Sequence, residues 1–320
     1  MCRRLRPRSK MLAAFVGYNE ECKSIMTTIA ARLQAVRERI DAAADNAGRA
    51  SAEIALLAVS KSFPVTAIAE ARAAGQRAFG ENYLQEAVSK LTVFQQAAAQ
   101  ACEGEQTHSG AVRPSAGVAF PEGTLLLPLE WHAAQAGQSE QKHTSGVRPS
   151  AGVASPEGTL LLPMEWHFIG PIQSNKTRQI AELFHWVHAV DRLKIAERLS
   201  AARPPGLPPL QICLQVNVSG EASKSGAQPD QILQLAQAVS RLPGLRLRGL
   251  MTIPEPTPVV QIQRAHYRQL RELKDDIDGQ GIPLDTLSMG MSDDLEAAIA
   301  EGATVVRVGR AIFGERKVQP

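Results

Sequence analysis

The sequence predicts an α/β fold, a single (β/α)8 barrel of the TIM type, and three observations point there. Short β-rich runs alternate with amphipathic helical stretches, the alternation repeats eight times within about 260 residues, and no strand leads into a glycine-rich dinucleotide-binding turn. The last observation sets aside the rival, an open doubly wound sheet. The nearest phosphate-loop lookalike, Gly309-Arg-Ala-Ile-Phe-Gly314, is followed by Glu315 where such a loop requires Lys.

Taken in order, Met26 opens a helix in which Ile29, Leu33, Val36 and Ile40 recur at three- and four-residue steps. That pattern makes Met26 the expected start of the fold and residues 1–25 a disordered or mis-assigned extension. The β-rich runs are ALLAVSK (55–61), RAFGEN (77–82), EWHFIG (165–170), HWVHAV (185–190), LQICLQVNVS (210–219), LRLRGLMTIP (245–254), DTLSMGM (285–291) and TVVRVGRAIFG (304–314). Between them lie helical stretches such as VTAIAEARAAG, NKTRQIAELF, DRLKIAERLSAA, PDQILQLAQAVSRL and SDDLEAAIAEGA. Asp293 with Glu296 three residues on reads as a capping box that starts the last of these helices.

One region breaks the alternation. Residues 98–132 align with 133–167 at 26 of 35 positions, a tandem duplication rich in Gly, Pro, Ser and Ala. A stacked solenoid needs at least about three repeats with apolar faces, so the duplication reads as a long loop, 97–164, inserted into a barrel spanning 26–320. Only the second copy runs on into FIGPIQSNK, so His167 and not His132 belongs to the fold. Because the insert joins a helix to the next strand, it is expected at the barrel face opposite the one that carries chemistry.

Composition narrows the function. The net charge of +3 is concentrated in residues 1–25, which hold six Lys/Arg against two Glu, so the body is near neutral and has no nucleic-acid signature. No apolar run approaches the roughly 18 residues of a membrane span. The cysteines Cys2, Cys22, Cys102 and Cys213 lack metal-ligand or disulfide-framework spacing, as suits a reducing, cytoplasmic compartment.

In a barrel the strand ends and the loops after them carry the chemistry. These positions hold Lys61, Asn82, His167, Asn217, Met251, Ser288, Arg307 and Gly309. Lys61 follows an almost wholly apolar run, and desolvation there would free its amine for Schiff-base chemistry; the plain alternative is a lysine that snorkels from a strand end. Ser288 and Gly309 lie on the loops where barrels often hold a phosphate, whereas Ser292 and Asp293 fit helix capping better. Arg307 alternates with Val306 and Val308, so it either forms a structural ion pair or faces a pyridine-ring nitrogen. His185 and His188 have no matching third metal ligand and read as ordinary strand or surface residues.

Together AVSK (58–61), FGENYLQE (79–86), EWHFIGPIQSNK (165–176), VNVSGEASKSG (216–226), LRGLMTIP (247–254), LSMGMSDDLEAAI (287–299) and VRVGRAIFG (306–314) resemble the pyridoxal phosphate homeostasis proteins. The resemblance runs in order from about Met26 to Arg316 and omits only the N-terminal extension and the insert. It implies a barrel like the N-terminal domain of alanine racemase, without the racemase C-terminal β domain, holding pyridoxal 5'-phosphate as a Schiff base on Lys61. It further implies that Ser288 and the backbone of Gly309 and Arg310 hold the phosphate, that Arg307 faces the pyridine nitrogen, that Asn82 lies by the ring, and that His167 and Met251 line the pocket. Arg310 departs from the threonine that many relatives carry, which puts a hydroxyl contact to the phosphate in doubt.

A racemase of this fold needs a second acid/base on the opposite cofactor face. Only six residues follow Gly314, and of Tyr18, Tyr83 and Tyr267 only Tyr83 lies near a strand end. The reading is therefore a monomeric carrier or regulator of the cofactor without evident catalysis, whose further partners would be cofactor-dependent apo-enzymes. A racemase or decarboxylase, and a barrel enzyme that forms a Schiff base with a phosphosugar, are the alternatives.

Overall fold

The computed structural model of the chain describes residues 28–106, 164–220 and 225–315. The extension 1–25 and most of the duplicated insert lie outside them. Eight strands close into one barrel in sequence order: β1 Ala55–Val59, β2 Ala78–Glu81, β3 Glu165–Phe168, β4 Trp186–Val190, β5 Leu210–Gln215, β6 Leu245–Met251, β7 Thr286–Ser288 and β8 Val305–Val308. Every neighbouring pair is parallel, including the closing pair of β1 and β8. The predicted runs each contain one of these strands. The strand within 210–219 is shorter than its run: Val216 still donates to the Met251 carbonyl but forms an isolated bridge with Ala227.

Helices follow the strands: α1 Ile29–Asn46 precedes β1, and α2 Val65–Ala73, α3 Leu84–Gln106, α4 Thr177–Leu183, α5 Leu193–Ala202, α6 Ile232–Val239, α7 Val260–Gly279, α8 Leu295–Ala300 and α9 Arg310–Phe313 come after it. In α1 the predicted stripe of Ile29, Leu33, Val36 and Ile40 is buried, and the Thr28 side chain caps the helix by accepting from the Ala31 N–H. Helix α3 continues to Gln106, ten residues into the region expected to be loop. Its last stretch, AAAQACEGEQ, consists largely of good helix formers.

Strand alternation divides the interior into two compartments. Ala58, Phe79, Trp166, Phe168, Val187, Val306 and Val308 face the helices and join the large core cluster. Leu57, Val59, Ile169 and Val305 pack together inside the barrel. The entry ends of the strands are closed by a polar and aromatic layer: Trp186 donates its indole N–H to Glu165 Oε1 at 2.7 Å, Arg248 lies 4.9 Å over the Trp186 ring, and Arg248 also binds Asp285 and Gln211. Both chain ends that flank the insert, the end of α3 and the start of β3, belong to this entry side. Among the described residues no helix is long and apolar enough to cross a membrane.

Helix α8 does not begin as predicted. Its N-cap is Asp294, which caps no helical N–H through its side chain; Asp294 instead accepts from the Met291 N–H and from the Tyr267 hydroxyl. Asp293 pairs with Arg310, and Glu296 with Arg39. In the run Ser-Asp-Asp three successive residues can cap, and tertiary partners decide among them.

Candidate functional site

Lys61 follows β1 by two residues. Leu57 and Val59 face the barrel interior, and the same alternation puts Lys61 on the interior side of the mouth while Ser60, fully buried, points to the helices. Register aligns Val59 with Gly80, so Asn82 comes level with Lys61 on the neighbouring strand. Asn82 Oδ1 is buried and accepts no hydrogen bond. A Cβ on Gly170 would lie 2.1 Å from the Asn82 carbonyl oxygen, so the loop after β3 packs directly against Asn82 only because residue 170 is glycine.

On the other side of β1, Gly309 follows β8. A Cβ there would come within 3.2 Å of the Val59 carbonyl oxygen. Gly309 caps the short helix α9, its carbonyl accepting from the Ile312 and Phe313 N–H groups. The Arg310 side chain turns outward to Asp293 and is exposed. Arginine at this position therefore leaves the backbone N–H in place and provides no hydroxyl.

Deeper in the barrel, one chain of contacts links four strands. Arg307 is buried and donates to the Ser288 carbonyl and hydroxyl and, at 2.7 Å, to the Thr252 carbonyl. Ser288 Oγ lies 2.8 Å from His188 Nδ1, His188 Nε2 lies 2.9 Å from His167 Nδ1, and His167 Nε2 stands 3.3 Å from Glu165 Oε2. That last contact is close enough for attraction but lacks hydrogen-bond alignment. His167 also stacks on Trp186, with centroids 5.4 Å apart.

The charges order this chain. Burial raises the Glu165 carboxyl, but the neighbouring His167, His185 and Trp186 outweigh it and hold the group below its usual range. Burial, with the adjacent His167 and Arg307, drives His188 far below an ordinary histidine, so it is neutral. A proton on His167 Nε2 facing Glu165 leaves Nδ1 to accept from His188 Nε2–H, and His188 Nδ1 then accepts the Ser288 hydroxyl proton. Burial also lowers Arg307, but nearby acidic groups oppose it.

The sequence reading of His188 is thus corrected: it is wholly buried and bridges His167 to Ser288. A lone histidine in an apolar strand carries no pattern that announces such a partner, and only the parity it shares with an inward position on β4 could have suggested it. His185 is an ordinary structural residue whose Nδ1 accepts the Trp166 N–H, with burial lowering its pKa to about 4. Met251 ends β6, fully buried and in register with Ser288. Asn217 is buried just beyond β5. His132 lies outside the described residues.

Comparison with known proteins places this arrangement. Residues 31–317 match a family described as alanine racemase, N-terminal domain. A pyridoxal phosphate homeostasis protein of Pseudomonas aeruginosa is 50% identical over 291 residues, covering 91% of this chain and 97% of the relative. The chain belongs to the pyridoxal phosphate homeostasis protein family. Its Escherichia coli K12 relative of the same name is 43% identical over 91% of this chain and 98% of the relative. Among solved structures, that of PipY from Synechococcus elongatus with PLP bound is 29% identical, covers 90% of this chain and all of that one, and superposes with a TM-score of 0.60. The relatives are named as homeostasis proteins and not as enzymes.

Proposed function

We propose that the chain binds pyridoxal 5'-phosphate at the exit mouth of its barrel, held covalently by the Lys61 amine, and serves the cell's supply of this cofactor as a carrier without turnover of its own. The observation that carries the reading is the convergence at one mouth of Lys61, Asn82 and Gly309, just beyond the ends of the adjacent strands β1, β2 and β8, in a chain half identical to a protein named for this role. The residues suit the group. Asn82 Oδ1 is a buried acceptor with no internal partner, Gly309 brings backbone close to the mouth, and Arg307 sets a buried cation on the interior wall.

When bound, the cofactor supplies an aldehyde that an amine can capture and a ring that withdraws electrons. In this reading Lys61 is the capturing amine, the N–H groups at Gly309 and Arg310 hold the phosphate, and the Ser288 hydroxyl joins them by turning its one proton from His188 Nδ1 to the phosphate. Arg307 faces the ring nitrogen and keeps it unprotonated, Asn82 lies beside the ring, and His167 and Met251 shape the wall. His188 holds Ser288 and His167 in place. An unprotonated ring nitrogen weakens electron withdrawal, which suits storage more than turnover.

A second acid/base would make the site a racemase, and the two tyrosines among the described residues are poorly suited. Tyr267 is fully buried, donates its hydroxyl to Asp294 and has its pKa raised by burial and that carboxylate. Tyr83 is 56% exposed beyond the mouth. The proposal includes a cytoplasmic monomer that passes the cofactor to apo-enzymes.

Titration of the purified protein with pyridoxal phosphate tests the binding. The native chain is expected to develop a visible absorption band at one equivalent. A band of equal strength in Lys61→Ala would overturn the assignment.

A further inference from the structure

Behind the mouth lies a buried charged cluster that cofactor contact does not explain. Lys90 on α3 is buried, with its ammonium donating to Glu81 Oε1 at 2.7 Å, to Glu86 Oε1 at 2.7 Å and to the Ser60 carbonyl at 2.8 Å. Ser60 donates its hydroxyl to the same Glu81 oxygen at 2.6 Å, and the Ser62 N–H is bonded to Glu86 Oε1. The side chains of Glu81 and Lys90 are 0% and 5% exposed, against 29% for Glu86.

Two features make this cluster unusual as a stabilising device. A buried ion pair generally gains little over apolar residues of the same size, because desolvation offsets the attraction; here Glu81 Oε2 is also left without a hydrogen bond, and burial pushes its carboxyl up against the pull of Lys90. Its contacts fall on the residues immediately before and after Lys61. Ser62 has φ of 66°, the only non-glycine with positive φ among the described residues, a conformation that costs free energy and persists only where its surroundings enforce it.

We propose that Lys90, Glu81 and Glu86 form a positioning clamp for the cofactor-binding lysine. The clamp grips the Ser60 carbonyl and hydroxyl on one side and the Ser62 N–H on the other, and so holds the strained turn that aims Lys61 into the barrel. The inference rests on the proposed role of Lys61. Its residues lie on the helix-facing side of β1 and β2, away from the barrel interior.

The test compares full-length native protein with Glu86→Ala, Glu86→Gln and the paired change Glu81→Leu with Lys90→Met. Each is loaded with pyridoxal phosphate, and borohydride labelling of Lys61 in the native chain serves as the control for the functional reading. Release of cofactor to an excess of a pyridoxal phosphate-binding apo-enzyme is then timed, and thermal melting is recorded. Glu86→Ala is expected to release about tenfold faster, the size typical of a lost supporting contact behind a binding residue, with Tm close to native. Glu86→Gln keeps a carbonyl acceptor for Ser62 and should recover most of the native rate. The paired variant removes both fully buried charges together, and should release faster while melting within a few degrees of native, since the groups that lose a partner are the Ser60 hydroxyl and carbonyl and the half-buried Glu86. Equal release rates in all four proteins, with native Lys61 labelled, would overturn the clamp and leave the function standing. An unlabelled Lys61 in the native protein would overturn both.

Discussion

At the residue scale, two contacts set the strongest expectations. Replacing Gly170 by Ala would drive a Cβ into the Asn82 carbonyl, so the loop must shift and Asn82 with it. The variant is expected to lose about 1–3 kcal/mol of stability and to bind pyridoxal phosphate more weakly, checked by urea denaturation and spectral titration. The second contact concerns pH. His188 is neutral in the fold, whereas in the unfolded chain it takes up a proton near pH 6.5. The unfolded state therefore binds more protons below that pH, and stability falls as pH drops. The loss from His188 grows as the pH falls below about 6.5. His185, lowered to about 4, adds to it across the window from 6.5 down to about 4. The groups facing His188 are His167, Ser288 and Arg307, and Glu165 lies beyond His167. A His188→Gln variant should show a shallower decline in urea midpoint between pH 7.5 and 5; an unchanged decline would mean that His188 does not titrate on unfolding. The interior side of the mouth for Lys61 was legible in the sequence because strand alternation carries past Leu57 and Val59, whereas its proposed role came from the family resemblance. His188 was not, because its partners on β3 and β7 are distant in sequence and only the closed barrel brings them together.

At the scale of elements, each strand was legible as a short β-rich run between helical stretches and α1 from its apolar period, since burial of one face follows directly from spacing. The start of α8 was not, since capping there is settled by Arg310, Arg39 and Tyr267 from other elements. Where the insert attaches leads to a further expectation. It connects α3 to the start of β3, across the barrel from Lys61. Replacing residues 107–163 with a short polar loop should leave cofactor binding unchanged and Tm within a few degrees, as read by spectral titration and calorimetry. A loss of binding in a folded deletion variant would show that the duplicated segment reaches the site. In α1, Leu33 is fully buried against the barrel, and Leu33→Ala should cost about 2–5 kcal/mol, measurable as a lowered urea midpoint.

At the scale of the whole molecule, eight parallel strands closing in order bring residues from β1, β2, β3, β7 and β8 to a single interior. The same barrel underlies a family that includes racemase domains, so fold alone does not separate a carrier from an enzyme. The distinction rests on which groups oppose Lys61, and the buried Tyr267 and exposed Tyr83 argue for a carrier. Alanine incubated with the loaded protein is expected to keep its configuration, checked by chiral chromatography, and light scattering is expected to report a monomer. The central claim is that Lys61 holds the cofactor, and borohydride reduction of the loaded protein followed by peptide mass spectrometry tests it most directly. A pyridoxyl group on the peptide containing Lys61, absent from Lys61→Ala, is the predicted result; an unmodified Lys61, or a label on another lysine, would contradict it.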